Sequence, residues 1–165
     1  MYIIKRITKG SVAAVLIIVF MLLLVILRIT SMSDATTAYC DAVGKYSTAI
    51  SEEFSTVDFL AQFGIQVSKE SEQAAKVTIP SEFNRVYENY NALQQSQGLS
   101  LEDYKGKVAT KYTYSVTNSL PDTDVSCNII VCENKVIAGD LCTAELNGAM
   151  TALTDKTLLQ SESST

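Results

Sequence analysis

The sequence predicts an α+β domain carried behind an N-terminal transmembrane helix, and three observations lead there. Residues Ser11 to Leu27 are an unbroken apolar run, with Lys5, Arg6 and Lys9 before it and Arg28 closing it. Phe83, Val86, Tyr87, Tyr90 and Leu93 recur at the three- and four-residue intervals of an amphipathic helix. From Lys107 onward the period changes to two, and three strand-like stretches follow one another across short turns.

With Gly10 and Ile29 the apolar run reaches about 20 residues, the length a helix rising roughly 1.5 Å per residue needs to cross a bilayer core. Its apolar side chains cover every face, whereas a buried core helix would show one stripe. The basic residues cluster ahead of the run, so the lysine and arginine bias keeps the N-terminus in the cytoplasm. Residues 1–9 are therefore expected to be a cytoplasmic tail and residues 10–29 a signal anchor in the lipid bilayer. The expected localisation is the cell membrane, single-pass, with the C-terminal part extracytoplasmic. A cleaved secretory signal is the competing reading, but its apolar core would be roughly 7–15 residues. Cys40 follows Thr37-Ala38-Tyr39 a dozen residues beyond the run, a poor setting for a lipid anchor.

The remaining 135 or so residues suffice for one domain. Four of the 13 basic residues and none of the 18 acidic ones lie in the first 30 positions, which leaves the exported part at about −9. Such a surface repels nucleic acid and anionic polymers. Ser, Thr, Ala and Asp dominate after the span, so residues 30–50 read as a stalk, with the exported domain at 51–155 and a disordered Ser-rich tail at 156–165.

Within the domain, Phe54, Val57, Leu60 and Ala61 share a face of a helix from Ser51 to Gln62, which Gly64 terminates. Ile65-Gln66-Val67 reads as a short strand, and Ala75 to Ile79 as another that stops at Pro80. The second helix runs from Ser81 to Gln97 and ends at Gly98; a single turn around Leu101 to Tyr104 follows it. In the next strand Val108, Thr110, Tyr112, Tyr114 and Val116 occupy one face and Lys107, Lys111, Thr113 and Ser115 the other. Val125 to Cys132 is a second strand, apolar on both faces near its centre. Glu133-Asn134 turns into a third, Lys135 to Leu141, broken by Gly139-Asp140. Connections this short cannot make parallel crossovers, so the three strands form a C-terminal antiparallel meander. Both helices are expected to pack on one face of this small sheet. A final amphipathic turn or two spans Ala144 to Leu153.

The segment from about Thr56 to Leu153 resembles domain-of-unknown-function family 4830, an uncharacterised family of membrane-anchored or exported domains from Gram-positive bacteria. The local matches are Asp58-Phe59-Leu60 with Phe63-Gly64, Val77-Thr78-Ile79-Pro80, Phe83, Val86-Tyr87, Tyr90-Asn91 with Leu93-Gln94, Gln97-Gly98, Tyr104-Lys105-Gly106-Lys107, Tyr112-Thr113-Tyr114 and Val136-Ile137-Ala138-Gly139-Asp140. Members tend to carry Trp where this chain has Ile65, and often a second Gly where it has Ala138. The resemblance implies domain limits and location; it brings no activity, cofactor or catalytic residue.

The chain has no histidine, which removes the usual proton acceptor of thiol and serine nucleophiles. Asp103, Asp122, Asp124 and Asp140 sit in or beside expected turns, where short acidic side chains cap backbone N–H groups. Cys127 and Cys132 are five apart, outside the spacing of a zinc knuckle. No catalytic residue, metal or cofactor is therefore expected. Cys127 and Cys142 are a candidate disulfide across neighbouring strands, the alternative being that both are small buried side chains. The candidate binding surface gathers Tyr87, Tyr90, Asn91, Gln94, Tyr104, Tyr112 and Tyr114, broad rings with polar tips; the alternative is that the rings belong to the core. The expected role is a non-enzymatic ligand-binding or protein-interaction module at the cell envelope, its partner an envelope protein or ligand. An envelope hydrolase or transferase working through carboxylates is the alternative.

Overall fold

The computed structural model describes residues 17–24, 36–143 and 150–160, and it divides into two compact units at Thr36. In the first unit residues 17–24 are helical with exposed apolar side chains. Among the described residues no helix is long and apolar enough to cross a membrane. The rest of the expected anchor at 10–29, the tail at 1–9 and residues 161–165 lie outside the described residues.

The second unit is an α+β fold with two antiparallel sheets, one of two strands and one of five. A hairpin of β1 (Thr37–Cys40) and β2 (Gly44–Ser47) is followed by α1 (Thr56–Ala61), β3 (Gln73–Thr78) and α2 (Arg85–Gln95). The chain then lays down β4 (Val108–Ser115), β5 (Val125–Cys132), β6 (Lys135–Thr143) and β7 (Met150–Ala152). The large sheet runs β3-β4-β5-β6-β7 in sequence order, every neighbour antiparallel. The expected meander is its centre. Glu133 and Asn134, at φ 52° and 60°, form the two-residue turn between β5 and β6, the left-handed pair that matches strand twist in tight hairpins.

Side chains alternate across this sheet, and each face has its own core. Val125, Cys127 and Ile129 join Phe59, Leu60, Phe63, Ile65, Tyr46 and Tyr114 on one side. Ile130 and Cys132 join Ile79, Leu101, Ala109, Ala138, Phe83 and Tyr90 on the other. The helices therefore cover opposite faces, α1 the first and α2 the second, which corrects the expectation that both share one. The helix expected from Ser51 begins only at Thr56. Ser55 caps it, accepting from the Asp58 amide while the Asp58 carboxylate accepts from the Ser55 amide.

The stretch read as a stalk is part of the fold. Tyr46 is 3% exposed and packs edge-on against Phe63 with ring centroids 4.9 Å apart. Beyond it the chain pairs with the start of β6: the Val136 amide donates to the Thr48 carbonyl and the Ile50 amide to the Asn134 carbonyl, both at 2.8 Å. The 51–155 limits are too narrow at the other end as well. Leu159 is buried, and the Gln160 amide donates to the Asn118 carbonyl. The amphipathic turn expected up to Leu153 is in its described part a strand, β7, while residues 144–149 lie outside the described residues.

Gly98 fixes the hairpin against the end of α2. Its φ is +84°, and a Cβ there would stand 2.3 Å from the Tyr39 carbonyl oxygen. Only glycine fits, because the close approach is to backbone that cannot swing aside.

Candidate functional site

Helix α2 starts at Asn84, whose side chain accepts from the amides of Val86 and Tyr87 at 3.0 Å each. Its apolar spacing would turn Val86, Tyr90 and Leu93 inward. Tyr90 does turn inward, but the neighbouring polar stripe is buried more deeply: Asn91 is 4% exposed and Gln94 is fully buried, as is Gln97 just beyond the helix, while Val86 is 72% exposed. The reason lies at the outer edge of β6, where β7 stops short. There the Gln94 Oε1 accepts from the Gly139 amide at 2.8 Å, and Gln97 donates to the Gly139 carbonyl at 2.7 Å and accepts from the Leu153 amide at 2.8 Å. Two side-chain amides thus stand in for a missing strand, and leaving those backbone groups unpaired would cost more than exposing a valine. Asn91 accepts from the Leu101 amide at 2.9 Å and holds the turn that follows.

With its polar stripe anchored, α2 stands over the second sheet face and leaves a groove of about 640 Å³ beneath its apolar side. Val77, Ile79, Val86, Leu93, Ile130 and Met150 make the aliphatic walls. Lining residues come from all five strands, from Val77 on β3 through Lys111, Asn128 and Asp140 to Met150 on β7.

The floor carries a polar cluster around Asp140, which is 2% exposed. Its carboxylate accepts from the Tyr90 hydroxyl at 2.8 Å, the Asn128 side-chain amide at 2.8 Å and the Cys142 thiol at 3.1 Å. The Asn128 Oδ1 accepts in turn from the Thr113 hydroxyl at 2.8 Å. Burial first, and the Asp140 charge second, push the Tyr90 hydroxyl far above its ordinary range. Burial, then the hydrogen bond to Asp140, push the Cys142 thiol up to about 12. A carboxylate holding three donors is a structural anchor for α2 and the floor, and its lone pairs are largely spent. Among the described residues no group of three metal-ligating side chains converges.

The expected tyrosine surface is not one surface. Tyr87 and Tyr90 line the groove. Asn91 and Gln94 are internal fasteners. Tyr104 packs into the core beneath α2, and Tyr112 against the opposite core. Tyr114 is buried, its hydroxyl 2.6 Å from both Thr56 and Glu72. Asp140 is also not in a turn: β6 continues through it to Thr143. Of the acidic residues weighed as catalysts it alone lines the groove.

The candidate disulfide is corrected too. A two-residue turn alone would set Cys127 and Cys142 on a diagonal of one face, but Ile137 is an extra residue in β6, where the pairing slips between Ile130↔Ala138 and Val131↔Val136. That bulge moves Cys127 opposite Leu141 and Cys142 opposite Ser126, so the two thiols project to opposite faces. All four cysteines are free. Lys111, Asn128 and Met150 were missed as site residues. The one sequence signal was Asn128, a polar side chain inside the otherwise apolar run of β5.

A five-stranded antiparallel sheet covered by one helix on one face and by another over an aliphatic groove on the other makes this a small two-faced α+β domain. The family model for a domain of unknown function (DUF4830) matches residues 59–141, half of the chain. The chain belongs to that family. The matched segment contains every groove residue named above except Met150, while β1, β2 and β7 fall outside it. No curated protein and no solved structure matches the chain.

Proposed function

We propose that this protein is a non-enzymatic binding module, tethered to a cell membrane through residues 10–29 with its sheet domain on the extracytoplasmic side, and that the α2 groove takes a small ligand with a largely aliphatic body. The groove carries the reading. Its volume falls in the range of about 300–1,000 Å³ typical of small-molecule clefts, and its aliphatic walls with a few polar groups are the usual composition of such sites. It lies on the sheet face opposite the aromatic core of Tyr46, Phe59 and Phe63. The tether rests on the apolar run and its basic flank, and the Gram-positive envelope on the resemblance.

Photolabelling of the full-length chain in proteoliposomes with a neutral, diazirine-bearing aliphatic alcohol tests this. Labelled peptides are expected from residues 77–93 and 128–130. Labelling confined to residues 10–29 would overturn the groove while supporting the anchor.

A further inference from the structure

Resting on that reading of the groove, we infer that its ligand is a single-chain amphiphile with an anionic head, its head placed by Lys111 and its chain laid along the groove. Length comes first. The lining residues cross all five strands, from Val77 to Met150, and four interstrand steps of about 4.8 Å make the groove roughly 19 Å long. An extended acyl chain has that shape, and a compact ring system does not. The walls agree, for Val77, Ile79, Val86, Leu93, Ile130 and Met150 are aliphatic or thioether side chains.

Charge decides the head. Among the described lining residues the acidic and basic side chains are Asp140 and Lys111. Asp140 is 2% exposed and already accepts from Tyr90, Asn128 and Cys142, so it offers little to a cationic ligand. Lys111 is half-buried on β4 opposite Ile130, and among the described residues its ammonium has no hydrogen bond or ion pair. An ammonium at an aliphatic wall gains from an anion there, because the pair is shielded from bulk water and forms charge-assisted hydrogen bonds. A carboxylate or phosphate head meets that need, and a neutral alcohol meets it poorly.

The test compares three diazirine probes of equal chain length on the full-length chain in proteoliposomes: a fatty carboxylate, the matching alcohol and a quaternary ammonium. The carboxylate is expected to label residues 77–93 and 128–130 about tenfold more efficiently than the alcohol, the scale of one charge-assisted contact. Lys111→Gln should erase that advantage, so that carboxylate and alcohol label the variant equally. Val86→Trp, which fills the mouth at an exposed position, should exclude all three probes. Equal labelling by carboxylate and alcohol, or a carboxylate preference that survives Lys111→Gln, overturns the anionic head and leaves the groove standing. Stronger labelling by the ammonium overturns it in favour of Asp140. No labelling of the groove by any probe overturns both readings.

Discussion

The two faces of the five-stranded sheet are built from the same strands and solve the burial problem in opposite ways. On the first face Phe59, Phe63 and Tyr46 pack ring against ring over Cys127, Ile129 and Leu141, and all are at most 3% exposed. On the second, α2 is fastened by amide side chains to the edge of β6 and leaves its apolar side over an open groove. The larger, aromatic core lies on the first face. The other face keeps its own buried set, Ile79, Leu101 and Ala138 among them, and leaves the groove beside it.

The most severe test of this division removes the hairpin. A chain lacking residues 1–35 should retain cooperative unfolding in urea, whereas one beginning at Ser51 should not fold. The second deletion removes Tyr46 from the closed face and uncovers the backbone of β6 at Asn134 and Val136. Cooperative melting of the shorter chain would show that the segment is a dispensable stalk after all.

Single substitutions sharpen the contrast. Phe59→Ala empties a fully buried site and should cost about 3–5 kcal/mol by chemical denaturation. Val86→Ala, at 72% exposure on the groove wall, should stay within about 0.5 kcal/mol. Comparable losses at both positions would mean that α2 is held by apolar burial. The alternative fastening is probed at Gln97, where Gln97→Ala strands the Leu153 amide and the Gly139 carbonyl. At about 1–3 kcal/mol for each buried unpaired group the loss should be about 2–6 kcal/mol, with faster amide exchange at Leu153. The neighbouring exposed Gln95→Ala should be silent.

The same division explains which parts of the fold were legible in the sequence. The meander could be read because its turns are short and local geometry leaves one topology. The existence of α2 could be read from its period, but only part of its facing: Tyr90 turns inward as expected, while Gln94 and Gln97 are drawn in by backbone groups distant in sequence and Val86 is left exposed. The hairpin was hidden by a Ser-, Thr- and Ala-rich composition in which Tyr39, Val43 and Tyr46 were the only larger apolar residues. Gly139-Asp140 looks like a turn. In the fold a Cβ at Gly139 would stand 2.6 Å from the Leu153 side chain, which would have to shift, and the Asp140 carboxylate accepts from the Tyr90 hydroxyl. Only Tyr87 and Tyr90 of the tyrosine surface lie in the groove, because a tyrosine's spacing shows that it belongs to a face without showing whether that face is roofed.

The smallest effect bears on the bulge that separates Cys127 from Cys142. With the thiols on opposite faces, reductant should leave the melting temperature unchanged. Both thiolates are disfavoured, Cys127 by burial in the core and then by the Asp140 charge, and Cys142 by burial and then by its hydrogen bond to the Asp140 carboxylate, whose charge also opposes the thiolate. At pH 8 a thiol pushed up to about 12 should react with iodoacetamide at least about a hundredfold more slowly than an unperturbed cysteine near 8.5, and its rate should climb roughly tenfold per pH unit. Asp140→Asn removes the opposing charge and the carboxylate acceptor, so the Cys142 pKa should fall and its alkylation quicken at fixed pH, while Cys127 should still react only on unfolding. Mass spectrometry of the alkylated peptides distinguishes the two thiols. If Asp140→Asn accelerated both equally, they would share one environment, and the one-residue slip at Ile137 would not be there.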